Sequence, residues 1–230
     1  NVIDAAHKYG AQKLLFLSSS CIYPKNCRQP MKEEHLMTGA LEPTNEAYAL
    51  AKLAGIGMCQ SYNKQYGAKF ICVVPSNVYG VNDNFSESGH VLASLIRKFH
   101  FAKMKSQKVL ELWGTGKPRR EFLFAENLAE ACIKLMNNYD DSKVINVGSG
   151  RDTSIKQLAQ IIKKITGYKG RIVYDRTKPD GNARRSLDGS KIRSLGWQPT
   201  TPLEEGVRKT YLWYMKHVSS DDPELRGGFS

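Results

Sequence analysis

Lys-Leu-Leu-Phe-Leu-Ser-Ser-Ser-Cys, residues 13–21, decides the fold. A short unbroken apolar run of this length has the pattern of a strand buried on both faces of a parallel sheet. It stops abruptly at Ser18, Ser19, Ser20 and Cys21, so small polar groups line the strand's carboxyl end. In open α/β sheets ligands bind at that end, because the loops there face a crevice and helix N-termini point into it. Upstream, residues 2–9 have helical spacing of apolar positions, and Gly10 stands where a left-handed cap would close the helix. Downstream, a Pro-bearing loop over 22–44 is too long for a plain connector and is expected to carry function. A helix follows over 46–66, closed by Gly67, and then a second buried strand over 69–74 that ends in Pro75, Ser76 and Asn77. Strand, helix, strand in this order is a parallel crossover unit.

The later pattern predicts helices over 90–104, 126–137, 155–166 and 202–217, and strands over 109–112, 144–147 and 171–174. Between them, 114–120 reads as a basic loop rich in Gly and Pro. Thr201 and Glu204 have capping-box spacing around Pro202, which suits a first helical position. The tail, 218–230, has the Ser, Asp and Gly content of a disordered segment. The expected fold is α/β: part of a doubly wound, Rossmann-like sheet over 1–89, then a smaller α/β unit over 90–217 with return segments to the sheet.

At 230 residues and 41% hydrophobic content the chain can bury a core of that size. No apolar run approaches the length of a membrane span, which excludes insertion as a helix. The five cysteines are widely spaced without a CxxC pair, which argues against a disulfide framework or a zinc knuckle. No metal is expected, and a reducing, cytoplasmic setting fits. The net charge of +12 favours anionic partners. Nucleic acid, membrane headgroups and phosphorylated small molecules all meet that charge, and composition does not choose among them; with no long basic run and no nucleic-acid motif, nucleic acid is a weak candidate.

Tyr48 and Lys52 lie four residues apart on the 46–66 helix and share one face. A phenol titrates near about 10, and a cation held beside it favours the phenolate. Such a pair can deliver a proton to a carbonyl oxygen during reduction, and a serine such as Ser19 can steady the same oxygen. The spacing alone occurs on many helices, so context has to decide.

That context is Ser-Ser-Ser-Cys-Ile-Tyr-Pro from Ser18, Glu-Pro-Thr-Asn-Glu-Ala-Tyr-Ala-Leu-Ala-Lys from Glu42, and Pro-Ser-Asn-Val-Tyr-Gly from Pro75. Together these resemble the extended short-chain dehydrogenase/reductases. Asp-Asn-Phe at Asp83, Gly-His-Val-Leu at Gly89, Trp-Gly-Thr-Gly-Lys-Pro-Arg-Arg-Glu-Phe at Trp113 and Lys-Pro-Asp-Gly at Lys178 narrow the likeness to the GDP-L-fucose synthase family, over residues 1–217. The resemblance implies an NADPH-dependent enzyme that epimerises GDP-4-keto-6-deoxy-D-mannose at the two carbons flanking its ketone, then reduces the ketone. It implies Tyr48 as general acid, Lys52 as its cationic partner, Ser19 as the second contact to the oxygen, and Cys21 with His90 as the proton-handling pair. Inverting a carbon beside a carbonyl needs one group to remove a proton and another to return it from the opposite face, which a thiol and an imidazole can do near neutrality.

The same resemblance sets Leu17, Ser18, Ser19 and Ser20, Tyr48 and Lys52, Pro75, Ser76, Asn77 and Val78, and His90 against NADPH. It sets Lys98, Trp113, Arg120 and Asp180 against the GDP-sugar, and implies a homodimer formed through the 46–66 and 90–104 helices. Alternatives are another nucleotide-sugar 4-epimerase or dehydratase of the group, or a non-catalytic nucleotide-sugar-binding fragment.

The glycine-rich turn that holds a dinucleotide pyrophosphate has no match here. Gly114-Thr115-Gly116 and Gly148-Ser149-Gly150 read as loop turns. The expectation is therefore that the segment belongs to a longer protein and that these residues alone bind cofactor and turn over feebly. Robust turnover of the keto-sugar by the 230-residue chain would contradict it.

Overall fold

The computed structural model describes residues 1–86 and 88–218, so all but the first residue of the expected tail lies outside the described residues. The chain divides into two compact units. The first comprises 1–78, 121–152 and 184–200; the second comprises 79–120, 153–183 and the segment from 201 onward.

The first unit is built on β1 (Leu14–Leu17), β2 (Phe70–Pro75) and β6 (Ile145–Val147), a parallel sheet in the order β1-β2-β6. Leu17 pairs with Val73 and Pro75 with Val147, so the carboxyl ends of the three strands lie side by side. Every residue of β2 is buried, as its unbroken apolar run requires. Phe70, Cys72 and Val74 face a cluster with Ile3 of α1 (Val2–Lys8) and Ile56 and Cys59 of α2 (Glu46–Tyr66). Ile71 and Val73 face the opposite cluster, with Leu128, Ala131 and Leu135 of α4 (Ala125–Asn138) and Ile192 of α6 (Ser190–Ser194). Alternate residues of one strand thus bury against helices on both faces, which makes the sheet doubly wound. Each large apolar side chain so buried contributes about 1.5–3 kcal/mol.

The 22–44 segment is tied into this core. Ile22, Tyr23 and Met31 are fully buried. The Tyr23 hydroxyl donates to Asn146 Oδ1 at 2.7 Å, and Asn146 Nδ2 donates to the Met31 carbonyl at 3.0 Å. Burial pushes the Tyr23 phenol far up from its ordinary range.

The second unit contains α3 (Val91–Met104), α5 (Ile155–Thr166) and α7 (Leu203–His217), with α5 packed against the other two, and the parallel pair β4 (Val109–Trp113) and β8 (Arg171–Asp175). A further small sheet joins β3 (Asn77–Tyr79), β5 (Arg119–Phe124) and β7 (Asp152–Ser154), with β9 (Arg184–Arg185) paired to β5. Residues 119 and 120, expected in a loop, begin strand β5 instead. Helix α7 also starts later than expected: Pro202 occupies the N-cap position and no side-chain cap forms. Glu204 turns to Lys164 at 2.8 Å rather than back toward Thr201. The capping box that does form is at α5, where Ser154 Oγ accepts the Gln157 backbone N–H and Gln157 Oε1 accepts the Ser154 N–H. Among the described residues no helix is long and apolar enough to cross a membrane.

Glu121 of β5 is a fully buried carboxylate. It accepts the backbone N–H groups of Gly150 at 2.6 Å and Leu187 at 2.7 Å, so one side chain fixes two turns of the first unit. A Cβ on Gly148 would lie 2.3 Å from Glu121 Oε1, and only glycine leaves the carboxylate room. Burial lifts the Glu121 carboxyl above the usual carboxylate range, while the backbone N–H bonds oppose the rise. A folded-state pKa that is raised adds stability below the unfolded value, and that stability is lost as pH rises through the raised value. We predict that Glu121→Gln, which turns an N–H toward a backbone N–H, costs about 1–3 kcal/mol at acid pH. Urea unfolding should show the gap between parent and variant narrowing as pH rises.

Candidate functional site

Tyr48 is the third residue of α2 and is 48% exposed, so its phenol stands at the surface of the first unit rather than among aliphatic side chains. One turn later Lys52 donates from Nζ to the Leu17 carbonyl at 2.8 Å, the last residue of β1. Its ammonium also lies 5.8 Å from the centre of the Tyr48 ring and 5.2 Å from that of Phe16. Gly55 sets this height: a Cβ there would be 2.2 Å from the Phe16 ring, so the missing side chain lets α2 settle against β1. A cation is therefore fixed beside the Tyr48 ring by a strand carbonyl and an aromatic face.

The polar end of β1 turns into a single 3-10 turn, Ser20–Ile22. Ser19 is its N-cap, and its Oγ accepts the Cys21 N–H at 3.3 Å. The Cys21 thiol is free and half-buried, and Ser20 is buried. Ser18 donates its backbone N–H to Val73, and Ser76 donates its own to Val147. The hydroxyls of both serines are buried without a partner, at the ends of adjacent parallel strands. A hydroxyl left so costs about 1–3 kcal/mol and is met most often where a ligand or water completes it. Pro75 is buried beside them, Asn77 donates from Nδ2 to the Glu121 carbonyl at 3.0 Å, and Val78 is half-buried. Two orphan hydroxyls thus lie at the carboxyl ends of adjacent parallel strands, the end of an open α/β sheet at which ligands bind.

The second unit carries the other expected residues. His90 is exposed at the N-cap position of α3 and makes no side-chain capping bond. Lys98, on the same helix, places its ammonium 5.6 Å from the centre of the Trp113 ring, which is 67% exposed at the end of β4. Arg120, Trp113, Asp180, Pro179 and Gly181 line one cavity of about 200 Å³. Arg120 is held there by the carbonyls of Arg119 and Asn182, whereas Arg119 reaches toward Gln157. Register therefore points Arg120, rather than its neighbour, at the cavity.

Asp180 lines the same cavity and is anchored there by Thr115. Its Oδ1 accepts the Thr115 N–H at 2.8 Å and its Oδ2 accepts the Thr115 hydroxyl at 2.6 Å. The Thr115 hydroxyl in particular holds the Asp180 carboxyl below its usual range. Gly114, at φ +76°, makes this possible, since a Cβ there would lie 2.2 Å from Asp180 Oδ1. Sequence reasoning missed Thr115, and it missed Lys178, whose ammonium is a second cation over Trp113 at 5.8 Å. The signal was present: Lys178 opens the Lys-Pro-Asp-Gly run that contains Asp180. Gly114→Ala should strain the turn by about 1–3 kcal/mol. Thermal unfolding would register the strain, and calorimetry with GDP should show weaker binding than the parent.

Residues 1–148 match the family model described as NAD dependent epimerase/dehydratase. A probable GDP-L-fucose synthase of Oryza sativa is 51% identical over 96% of this chain and 68% of its own length. The GDP-L-fucose synthase of Escherichia coli K12 is 47% identical over 94% of this chain and 71% of its own length. Among solved structures, a GDP-L-fucose synthetase from Naegleria fowleri bound to NADP superposes with a TM-score of 0.90 at 29% identity, covering 94% of this chain and 70% of that one. The fold agrees with these likenesses, and the chain belongs to the NAD dependent epimerase/dehydratase family.

Proposed function

We propose that the chain carries the reductive and epimerising centre of a GDP-L-fucose synthase, acting on GDP-4-keto-6-deoxy-D-mannose with NADPH. The observation that carries the reading is the Lys52 ammonium, held between the Leu17 carbonyl and the Tyr48 ring where β1 ends in serines. Leu17 to Ser20, Pro75 to Val78, Tyr48, Lys52 and His90 would hold the cofactor. When bound, NADPH supplies hydride to the ketone carbon. Tyr48 gives its proton to the ketone oxygen, and Ser19 donates a hydrogen bond that fixes that oxygen as charge develops on it. Lys52 then stabilises the phenolate left behind.

Before reduction, Cys21 and His90 are the pair that removes and returns protons at the carbons flanking the ketone. Lys98 and Arg120 meet the diphosphate, where charge-assisted bonds are strong, and Trp113 offers a flat apolar face to the nucleotide. Asp180 serves the same cavity by locking the Thr115 turn. The enzyme is multifunctional, works as a homodimer in the cytoplasm, and uses α2 and α3 in its dimer contact; Leu50 and Met58, exposed on α2, support that helix's part. The test is product analysis: prolonged incubation of concentrated protein with the keto-sugar and NADPH should yield GDP-L-fucose, at the feeble rate expected of residues with no glycine-rich pyrophosphate turn. Release of the unepimerised 4-alcohol alone would replace this reading with that of a simple reductase.

A further inference from the structure

The positive charge of the chain is unevenly placed. The second unit's sequence holds 19 Lys and Arg against 10 Asp and Glu, and the first unit's holds 15 against 12. Away from the Trp113 cavity, the second unit has another cavity of about 460 Å³, where the turn after α3 meets the turn after α5. Lys103, Lys108, Lys169 and Arg171 line it, and no carboxylate does. Among the described residues none of these four cations has an acidic partner within 4 Å.

Lysines at helix C-termini are ordinary, since they complement the helix dipole, and Lys103 is explained in that way. Lys108, Lys169 and Arg171 are not: they stand beyond the helices, on the turns and at the start of β8. The floor beneath them is firmly built. Arg171 donates its N–H to the Lys108 carbonyl at 2.8 Å, and Gln107 donates to Ala102 at 2.9 Å. Gly170 has no room for a side chain, because a Cβ would lie 2.1 Å from the Tyr168 hydroxyl and 2.6 Å from the Gln107 carbonyl. Tyr168 lines the same cavity, is only 3% exposed, and keeps its hydroxyl without a hydrogen-bond partner. Four cations lining one cavity that no carboxylate lines give it a positive potential that favours a compact, multiply charged anion. Lysines suit such an anion as point charges, and Arg171 can take two of its oxygens at once.

We propose that this cavity is a second anion site, distinct from the one at Arg120, and that it takes a phosphate-bearing ligand of pyrophosphate type. The inference does not depend on the catalytic reading, because it rests on residues that reading leaves unused. Calorimetric titration of the whole chain with inorganic pyrophosphate at low salt tests it, alongside Lys108→Ala/Lys169→Ala, Tyr168→Phe and Arg120→Ala. Expected are saturable binding that falls about tenfold or more in the double variant, weakens in Tyr168→Phe, survives Arg120→Ala, and declines with added salt. Absence of binding, or binding abolished by Arg120→Ala and untouched by the double variant, overturns the proposal. Vesicles containing an anionic phospholipid form a second arm. Capture by vesicles together with pyrophosphate binding identifies a lipid headgroup as one source of the phosphate, and capture without pyrophosphate binding overturns the cavity site in favour of a membrane-facing surface.

Discussion

Replacing Tyr48 by Phe should lower the rate of ketone reduction by about 10²–10⁴-fold, the usual worth of a positioned proton donor. The change removes one hydroxyl from a ring that is 48% exposed, so the fold has little to lose. Lys52 keeps its bond to the Leu17 carbonyl, and the ring that its ammonium faces is still present. Affinity for GDP should not move, because Lys98, Trp113 and Arg120 are untouched. The expected signature is therefore a fall in kcat at nearly constant KM. Steady-state kinetics with the keto-sugar and NADPH measures both. A variant within a few-fold of the parent would show that another group protonates the oxygen.

Cys21→Ser should separate the two halves of the chemistry. The substitution keeps the size of the side chain, and the backbone N–H of residue 21 can still bond Ser19 Oγ, so the turn after β1 should hold its shape. What is lost is a group able to exchange a proton near neutrality, since a serine hydroxyl is far weaker in that role. Wash-in of solvent deuterium at the carbons flanking the ketone should drop by about 10²-fold or more, while reduction of the unepimerised ketone continues. A simple 4-epimerase would be almost indifferent to the change, so equal wash-in by parent and variant would move the chain to that class of activity.

Much of the scaffold behind these effects can be read from residues. Helix α2 occupies 46–66 as expected because Gly67, at φ +65°, ends it in a left-handed cap. Strand β2 reads plainly because both its faces are buried, and an apolar run leaves little else to infer. Strand β5 was hidden for a physical reason. Its first three residues, Arg119, Arg120 and Glu121, are all charged, and the carboxylate belongs to the interior only because two backbone N–H groups from distant turns satisfy it. No local pattern carries that information. The α7 capping box failed because Pro202 took the position one residue ahead of the one assigned to it, whereas Ser154 and Gln157 met the same spacing rule and were overlooked.

At the site, residue types were legible and partners were not. Ser18 and Ser76 read as polar strand ends, but only the fold shows both hydroxyls buried and unanswered. Asp180 was expected at the substrate, and it lines the cavity; only the fold shows that its oxygens also bond Thr115, a contact across 65 residues of sequence. Lys52 was assigned to Tyr48 by helical spacing together with the resemblance, and its anchor on Leu17 came from the packing of α2 against β1.

The central claim is that the Tyr48–Lys52 pair protonates a sugar ketone as hydride arrives at its carbon. Single-turnover reaction with NADPH deuterated at its transferable position tests that most directly. The account predicts deuterium at the former ketone carbon of GDP-L-fucose in the parent, and a rate of incorporation lower by about 10²-fold or more in Tyr48→Phe. Incorporation at an unchanged rate in Tyr48→Phe, or label at any other sugar carbon, would contradict it.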